Sequence, residues 1–382
     1  MGAAMTGRAF LATFRAIFSD ASVLMLLIGS CILYAFFYPS AYSGEVPVRM
    51  PVAVIDMDRS GTSRSLVTRL DALQQAEVTA RLPSPAEGLR QLREGRVSAL
   101  VVIPEGFERR ILSGGQGVVA LYGNGAYLLR SSTALAGVGA ALGAAGRDAA
   151  VDQAMAQGAP APPALAMIQR PLFNTREGYG STIFPGVAFL IIQQTLLIGL
   201  AMLAATMREK NGPQSFAPPS LLGIALAFFV VGCVNIAWFT GFVFWFQDYP
   251  RGQAAPLTLL ASAALFLSAT VAGALALGSF FRTRERPLQL WIVTSVPIFF
   301  LSGLSWPAEA TPRWLALLAH LLPTTAGIKL MVGVNQMGAT LQEQWEALIN
   351  LAVLTLLYGG IAVLRYRTGK GEGKESRDGV CQ

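Results

Sequence analysis

The sequence predicts an α-helical integral membrane protein with six transmembrane helices and an extracytoplasmic α/β domain inserted after the first span. Three observations carry that reading. Of 382 residues, 53% are hydrophobic and 13% are charged, about half the ~25% charged share of an ordinary soluble protein. Six stretches approach the ~20 predominantly apolar residues that a helix needs to cross hydrocarbon; they lie at 21–38, 183–207, 220–246, 256–281, 288–305 and 346–364. Between the first two sits a polar region of domain size, 39–182.

Residues 1–20 contain "GRAFLATFRAIFSD", which places Phe10, Leu11, Phe14, Ile17 and Phe18 on one helical stripe beside Arg8 and Arg15. That pattern predicts an interfacial amphipathic helix, lying on lipid or also touching a partner protein. The stretch at 21–38 also reads as the apolar core of a signal peptide. Its length, and an aromatic belt of Tyr34, Phe36, Phe37 and Tyr38 at its outer end, favour a retained span.

The region 39–182 reads as alternating strands and helices. "PVAVIDMD" (51–58), "EVTARL" and "VSALVVIP" (97–104) are β-rich, the last apolar enough to be central. "SRSLVTRLDAL" puts Leu66, Leu70 and Leu73 at helical spacing. Ser84, Pro85 and Glu87 form a capping box with proline at the first helical position. "EGFERRIL" and "GVVALY" supply a further helix and strand, 127–157 a long Ala/Gly-rich helix, and "GAPAPPA" (158–164) a breaker loop. Asp56 and Asp58 close the first strand, where catalytic carboxylates often sit, yet 39–182 contains no His, Cys or Lys. The common nucleophile–base pairs and zinc sites are thereby excluded, and the two aspartates read as caps for the turn and helix that follow.

In the membrane half, Gln193, Gln194 and Thr195 fall mid-span in the second helix and Asn235 mid-span in the third. They line a substrate path or join helices. Ala269, Gly273, Gly278 and Ser279 suit close helix contact in the fourth span, and Pro297 with Thr294 and Ser295 predicts a kink in the fifth. The stretch 300–325 is apolar but broken by Gly303, Pro307, Pro312 and Pro323 and interrupted by Glu309 and Arg313. Non-helical backbone at membrane depth survives only inside protein or beside water, so 305–325 is expected to fold as short re-entrant or interfacial helices, with Trp306 and Trp314 as headgroup anchors.

The net charge of +7 raises nucleic acid as a partner, but the basic residues follow the membrane. Arg8 and Arg15, Arg208 and Lys210, Arg282, Arg284 and Arg286, and the tail 365–382 with Arg365, Arg367, Lys370, Lys374 and Arg377 fall on one side. Short connections on the other carry only Arg251, Arg313 and Lys329. Both termini are therefore expected in the cytoplasm, and no basic stripe interleaved with aromatics suggests nucleic-acid binding. Cys31, Cys233, Cys381 and the one histidine, His320, give no metal-ligand spacing. No G-x-x-x-x-G-K-[ST] loop is present to hold nucleotide. The spans lack buried Asp, Glu or Lys, which argues against ion-coupled secondary transport.

Several segments are similar to one family throughout. They are "VAVIDMDRSGTSRSLVTRL", "GLRQLREGRVSALVVIPEGFERRILSG" and "YGNGAYLLRSS" in the inserted domain, and "REKNG" (208–212), "RTRERPLQLWIVTSVPIFFLSGLSWPAEATPRWLALLAHLLPTT" (282–325) and "NQMGA" (335–339) in the membrane half. The chain resembles the permease subunits of bacterial type 2 ATP-binding-cassette (ABC) exporters, in the branch with a large extracytoplasmic domain between the first two spans. The resemblance implies an inner-membrane location, a separate cytoplasmic ATPase that binds ATP and Mg, a second permease copy or paralogue to complete a dimer, and in many relatives a periplasmic adaptor. It assigns coupling to the loop 208–219, with Arg208, Glu209, Lys210, Asn211 and Gly212 matching Arg-Glu-x-x-Gly. This loop soon reaches "PQSFAPP", so the coupling surface is expected to be small. The resemblance also implies a path between two permease halves along the second and fifth spans; Gln193, Gln194, Asn235, Thr294 and Pro297 serve that path or helix packing, and Ser302, Gly303, Trp306, Pro307, Pro312 and Trp314 form an outer gate or a structural hairpin that seals the last span. The rival reading is a non-transporting receptor or assembly factor whose external domain binds a partner.

Overall fold

The computed structural model describes residues 2–42, 48–123, 128–156, 174, 178–212, 214–252, 254–306 and 310–368. They divide into two compact units, one of Met1–Glu45 with Arg170–Gln382 and one of Val46–Gln169. The loop 158–164, the motif residues 124–127, Pro307 and the tail beyond 368 lie outside the described residues.

The chain opens with α1 (Gly2–Ser19) and the first span, α2 (Ala21–Ala41), which contains a π-helical stretch at Met25–Gly29. Asp20 separates the two helices and caps the second, its Oδ1 accepting from the Ser22 and Val23 amides at 3.1 and 3.2 Å.

The inserted unit follows as β1 (Met50–Asp56), α3 (Gly61–Asp71), β2 (Ala76–Arg81), α4 (Pro85–Arg93), β3 (Ala99–Ile103), α5 (Phe107–Leu112), β4 (Ala120–Gly123) and α6 (Leu128–Ala156). Its sheet runs in the order β2-β1-β3-β4. β1 pairs in parallel with β2 and β3, and β4 closes one edge antiparallel to β3. Alternation along the two central strands explains their near-continuous apolar runs, because both faces are covered. Val52, Val54, Val101 and Ile103 pack with Leu66, Leu70, Phe107 and Val138 on one face. Ala53, Ile55 and Leu100 pack with Leu92 and Val97 on the other. The capping box forms by half: Ser84 Oγ accepts from the Glu87 amide at 3.4 Å, whereas the Glu87 carboxylate turns to Arg90 and Gln91.

The membrane unit resumes with α7 (Tyr179–Asn211), α8 (Pro218–Phe246, π-helical at Trp238–Val243) and α9 (Pro256–Gly278). Then come α10 (Arg286–Leu301), α11 (Arg313–His320), α12 (Pro323–Met337) and α13 (Trp345–Thr368). Five helices are long and apolar enough to cross a membrane, and the α11–α12 pair, bent by 81°, is a broken sixth span or a re-entrant element. Helix α7 is the hub: 89% of its apolar window is buried, against 22% for α13. This follows from its all-round apolar surface, which suits a helix ringed by others.

Two expectations need correction. The fifth span ends at Leu301 rather than 305, because Ser302 caps it and Gly303 turns the chain at φ +81°. With 16 residues it is about 24 Å long at ~1.5 Å per residue, short of a ~30 Å hydrocarbon core. The broken outer element also does not stop at 325. Pro323 starts α12, which runs on to Met337 and buries Ile328, Leu330, Met331 and Val334 together with Asn335 and Gln336.

Candidate functional site

Two groups of residues stand out in the membrane unit, one at each end of the short helix α10. The first lies where α7 ends. Arg208, in its last turn, donates from Nη1 to the Ser279 carbonyl and, at 3.0 Å, to the Phe281 carbonyl, and its guanidinium lies 5.2 Å from the Tyr366 ring centroid. Both carbonyls belong to the end of α9 and the turn that follows. Glu209 Oε2 accepts from the Arg284 amide in that same turn at 3.2 Å. The Arg284 side chain forms a two-point ion pair with Asp20, 2.6 and 2.7 Å, and its Nη1 reaches Thr206 Oγ1 at 3.2 Å. The Asp20 carboxyl is held below the usual carboxylate range, first by the hydrogen bonds from Arg284 and against the opposing effect of burial. Lys210 and Asn211 are exposed, and Gly212 ends the helix at φ +74°. Sequence reasoning missed Asp20 and Arg284 as a pair because 264 residues separate them.

The N-terminal helix belongs to this end as well. Phe10, Thr13 and Ile17 turn inward, with Thr13 and Ile17 buried, while Leu11 and Phe18 stay more than half exposed. The helix lies on the start of α8: Thr6 Oγ1 donates to the Pro219 carbonyl at 3.0 Å, and a Cβ on Gly223 would come within 2.4 Å of the Thr6 carbonyl.

The second group lies at the far end of α10. The broken backbone there is satisfied by protein. Thr325 Oγ1 donates to the Leu301 carbonyl at 3.0 Å, Asn350 Nδ2 to the His320 carbonyl at 3.1 Å, and the Tyr358 hydroxyl to the Leu321 carbonyl. Carbonyls freed by the break at 301 and the bend at 320–322 thus find donors on α12 and α13, as an apolar environment demands. Ser302 is buried and donates to the Phe299 carbonyl at 2.6 Å, and Pro312 occupies the cap position before α11. Trp306 and Trp314 present their rings outward, 55% and 64% exposed. Leu304 packs onto Gly186 of α7, where a Cβ would lie 2.2 Å from its Cδ2.

Between these ends, the mid-span amides hold helices together. Gln193 Oε1 accepts from Thr324 Oγ1 at 2.7 Å, joining α7 to α12, and Asn235 Nδ2 donates to the Leu27 carbonyl at 2.9 Å, inside the π-helical stretch of α2. Gln194 is buried beside them in α7. On α10, Thr294 Oγ1 donates to the Leu290 carbonyl at 2.9 Å and Pro297 sits exposed inside the helix.

In the inserted unit the two aspartates close local structure. Asp56 Oδ1 accepts from the Asp58 and Arg59 amides, and its Oδ2 accepts from Ser63 Oγ at 2.8 Å. Asp58 caps α5 through the Phe107 and Glu108 amides, both at 3.0 Å, while Ser60 caps α3. Among the described residues no group of three or more His, Cys, Asp or Glu is placed to hold a metal ion.

The chain is 24% identical over 369 residues to the inner membrane transport permease YhhJ of Escherichia coli (strain K12), covering 92% of this chain and 94% of that protein. The Shigella flexneri protein of the same name matches equally. Several long apolar helices and these relatives support a multi-pass inner-membrane protein. The family model for ABC-2 family transporter proteins matches residues 21–364, nearly the whole chain, so the chain belongs to the ABC-2 transporter family.

Proposed function

We propose that this chain is one half of the permease of an ATP-driven exporter. It pairs with a second copy or a paralogue and moves a hydrophobic or amphipathic molecule outward, powered by a separate cytoplasmic ATPase that binds ATP and Mg. Family membership supports the transporter subunit, and the observation that carries the dimeric pathway is α10. Of its residues only Pro287 is buried within the chain, and Ile292, Val293, Val296 and Phe300 are all more than half exposed. Pro297 leaves the Val293 carbonyl without its helical donor, and the helix is too short to span unaided. A lipid-facing surface tolerates neither feature well, whereas a second permease half covers both and leaves a path between the halves.

In this reading the basic segments hold both termini and the 208–219 loop in the cytoplasm, and the α/β unit stands outside, where it meets a periplasmic adaptor or guides cargo. The outer element around Ser302, Gly303, Trp306, Pro312 and Trp314 gates the exit. A groove of about 940 Å³ between α3, α5 and α6 favours a partner-binding role for the α/β unit as well, and that role alone is the receptor alternative.

The test is affinity purification of the tagged chain in mild detergent, with mass spectrometry and an ATPase assay of the eluate. A cassette ATPase recovered with it, active in dependence on this subunit, is the expected result. A stable complex that repeatedly lacks an ATPase sinks the exporter reading and leaves the receptor one.

A further inference from the structure

The loop to which family resemblance assigns ATPase docking holds on to its own chain. Arg208 gives its guanidinium to the Ser279 and Phe281 carbonyls, and Glu209 takes the Arg284 amide. Two of the five motif residues therefore grip the turn between α9 and α10, while Glu209, Lys210 and Asn211 are all exposed. The gripped turn leads at once into α10, which begins at Arg286. Its Arg284 in turn holds Asp20 at two points, and Asp20 is the cap of α2.

From this geometry we propose that Asp20, Glu209 and Arg284 form a clasp that carries movement of the α7 end and of the α1–α2 junction into α10. The inference rests on the exporter reading and adds the positioning residues through which the motor would reach the pathway helix. The physical ground is the difference between the two ends of the contact. A planar guanidinium paired at two points fixes orientation as well as distance, and Thr206 on α7 takes a further bond from the same group. Helix α10 has one buried residue, Pro287, near its inner end; further along, Trp291 packs partly buried against the core and the Leu301 carbonyl accepts from Thr325 Oγ1. The inner end of α10 follows directly from the turn, which the clasp holds together with the Arg208 bonds to the Ser279 and Phe281 carbonyls. An ordinary stabilising ion pair would make no such link to the nucleotide state.

The test uses the full chain with its co-purifying ATPase. Val293→Cys, at a 73% exposed position on α10, is introduced in a background with Cys31, Cys233 and Cys381 changed to Ser, and its maleimide labelling rate is compared without nucleotide and after trapping with Mg-ATP and vanadate. A several-fold change on trapping is expected in the parent. Arg284→Ala should abolish that change while the ATPase still co-purifies and hydrolyses ATP. Arg284→Lys, which keeps a charge opposite Asp20, should restore part of it, and Asp20→Asn, which keeps the α2 cap, should reduce it. A vanadate-dependent change of parental size in Arg284→Ala overturns the clasp, as does a parent whose labelling ignores trapping. Absence of any ATPase from the parent complex overturns the exporter reading first, and the clasp with it.

Discussion

Asp20 makes two kinds of contact at once, and single substitutions separate them. Asparagine keeps the acceptor that caps α2 but removes the charge opposite Arg284. Both side chains are more than two-thirds buried, so Asp20→Asn should destabilise the protein by about 1 kcal/mol, the upper range for a partly exposed pair. Asp20→Ala also leaves the Ser22 and Val23 amides uncapped and should cost roughly 1 kcal/mol more; thermal unfolding in detergent reads both. The folded carboxyl is held below its ordinary value. Its contribution is therefore complete at pH values above the unfolded carboxylate pKa of about 3.9 and fades as pH falls through the lowered folded value. The gap between wild type and Asp20→Asn should be constant from neutral pH down to mildly acidic conditions and close only in stronger acid. At the neighbouring position, Glu209→Ala should leave membrane insertion and dimerisation intact but reduce transport per ATP hydrolysed, and unchanged transport in that variant would remove Glu209 from the coupling path. Of this cluster the sequence revealed the Arg-Glu-x-x-Gly positions by resemblance. It hid their direction, because whether a charged side chain faces a partner or a turn of its own chain is decided by tertiary packing.

At the scale of elements, the strands of the α/β unit were legible because burial on both faces leaves runs such as Val52–Ile55 and Leu100–Ile103 almost without polar residues. Helix α4 announced itself through Ser84 and Pro85. Helix α12 did not, since Lys329, Asn335 and Gln336 dilute its hydropathy, although Asn335, Gln336 and most of the helix are buried in protein. The N-terminal helix was legible as amphipathic, but its inward face is defined by Thr13 and Ile17 rather than by the full aromatic stripe, because α8 offers a cradle at Gly223. A side chain there meets the Thr6 carbonyl, the Ala9 methyl and the Phe10 amide within 3 Å, so the obstruction is largely backbone. Gly223→Leu should lift α1 off α8 and cost about 1–3 kcal/mol, the range for overpacking. Faster proteolysis near Arg8 and Arg15 with a lower melting temperature would show it, and wild-type protection would mean that α1 is held elsewhere. At Gly186 the obstruction is instead the Leu304 side chain, so substitution by valine should displace Leu304 and loosen the outer element.

For the whole molecule, exposed apolar surface must be divided between lipid and protein. Helix α13 exposes Ile349, Val353, Leu356 and Leu364, with an uninterrupted backbone through its span, which is what hydrocarbon accepts. Helix α10 exposes comparable apolar area in Ile292, Val293, Val296 and Phe300, but it is short, contains Pro297 and carries Gln289 at its surface. A polar side chain and a proline-freed carbonyl prefer protein or water to lipid, so the two faces should differ in what covers them. Placed in the membrane as single cysteines in the background lacking Cys31, Cys233 and Cys381, Val296→Cys on α10 should form an oxidised cross-link to a second copy or to a paralogous permease. Leu356→Cys on α13, 78% exposed, should stay monomeric under the same oxidant. Cross-linking at α13 alone would move the dimer contact to the last span and remove the path between halves from α10. Cross-linking at neither position, in a preparation that still hydrolyses ATP, would mean that lipid covers both faces and that the permease works without a partner at α10.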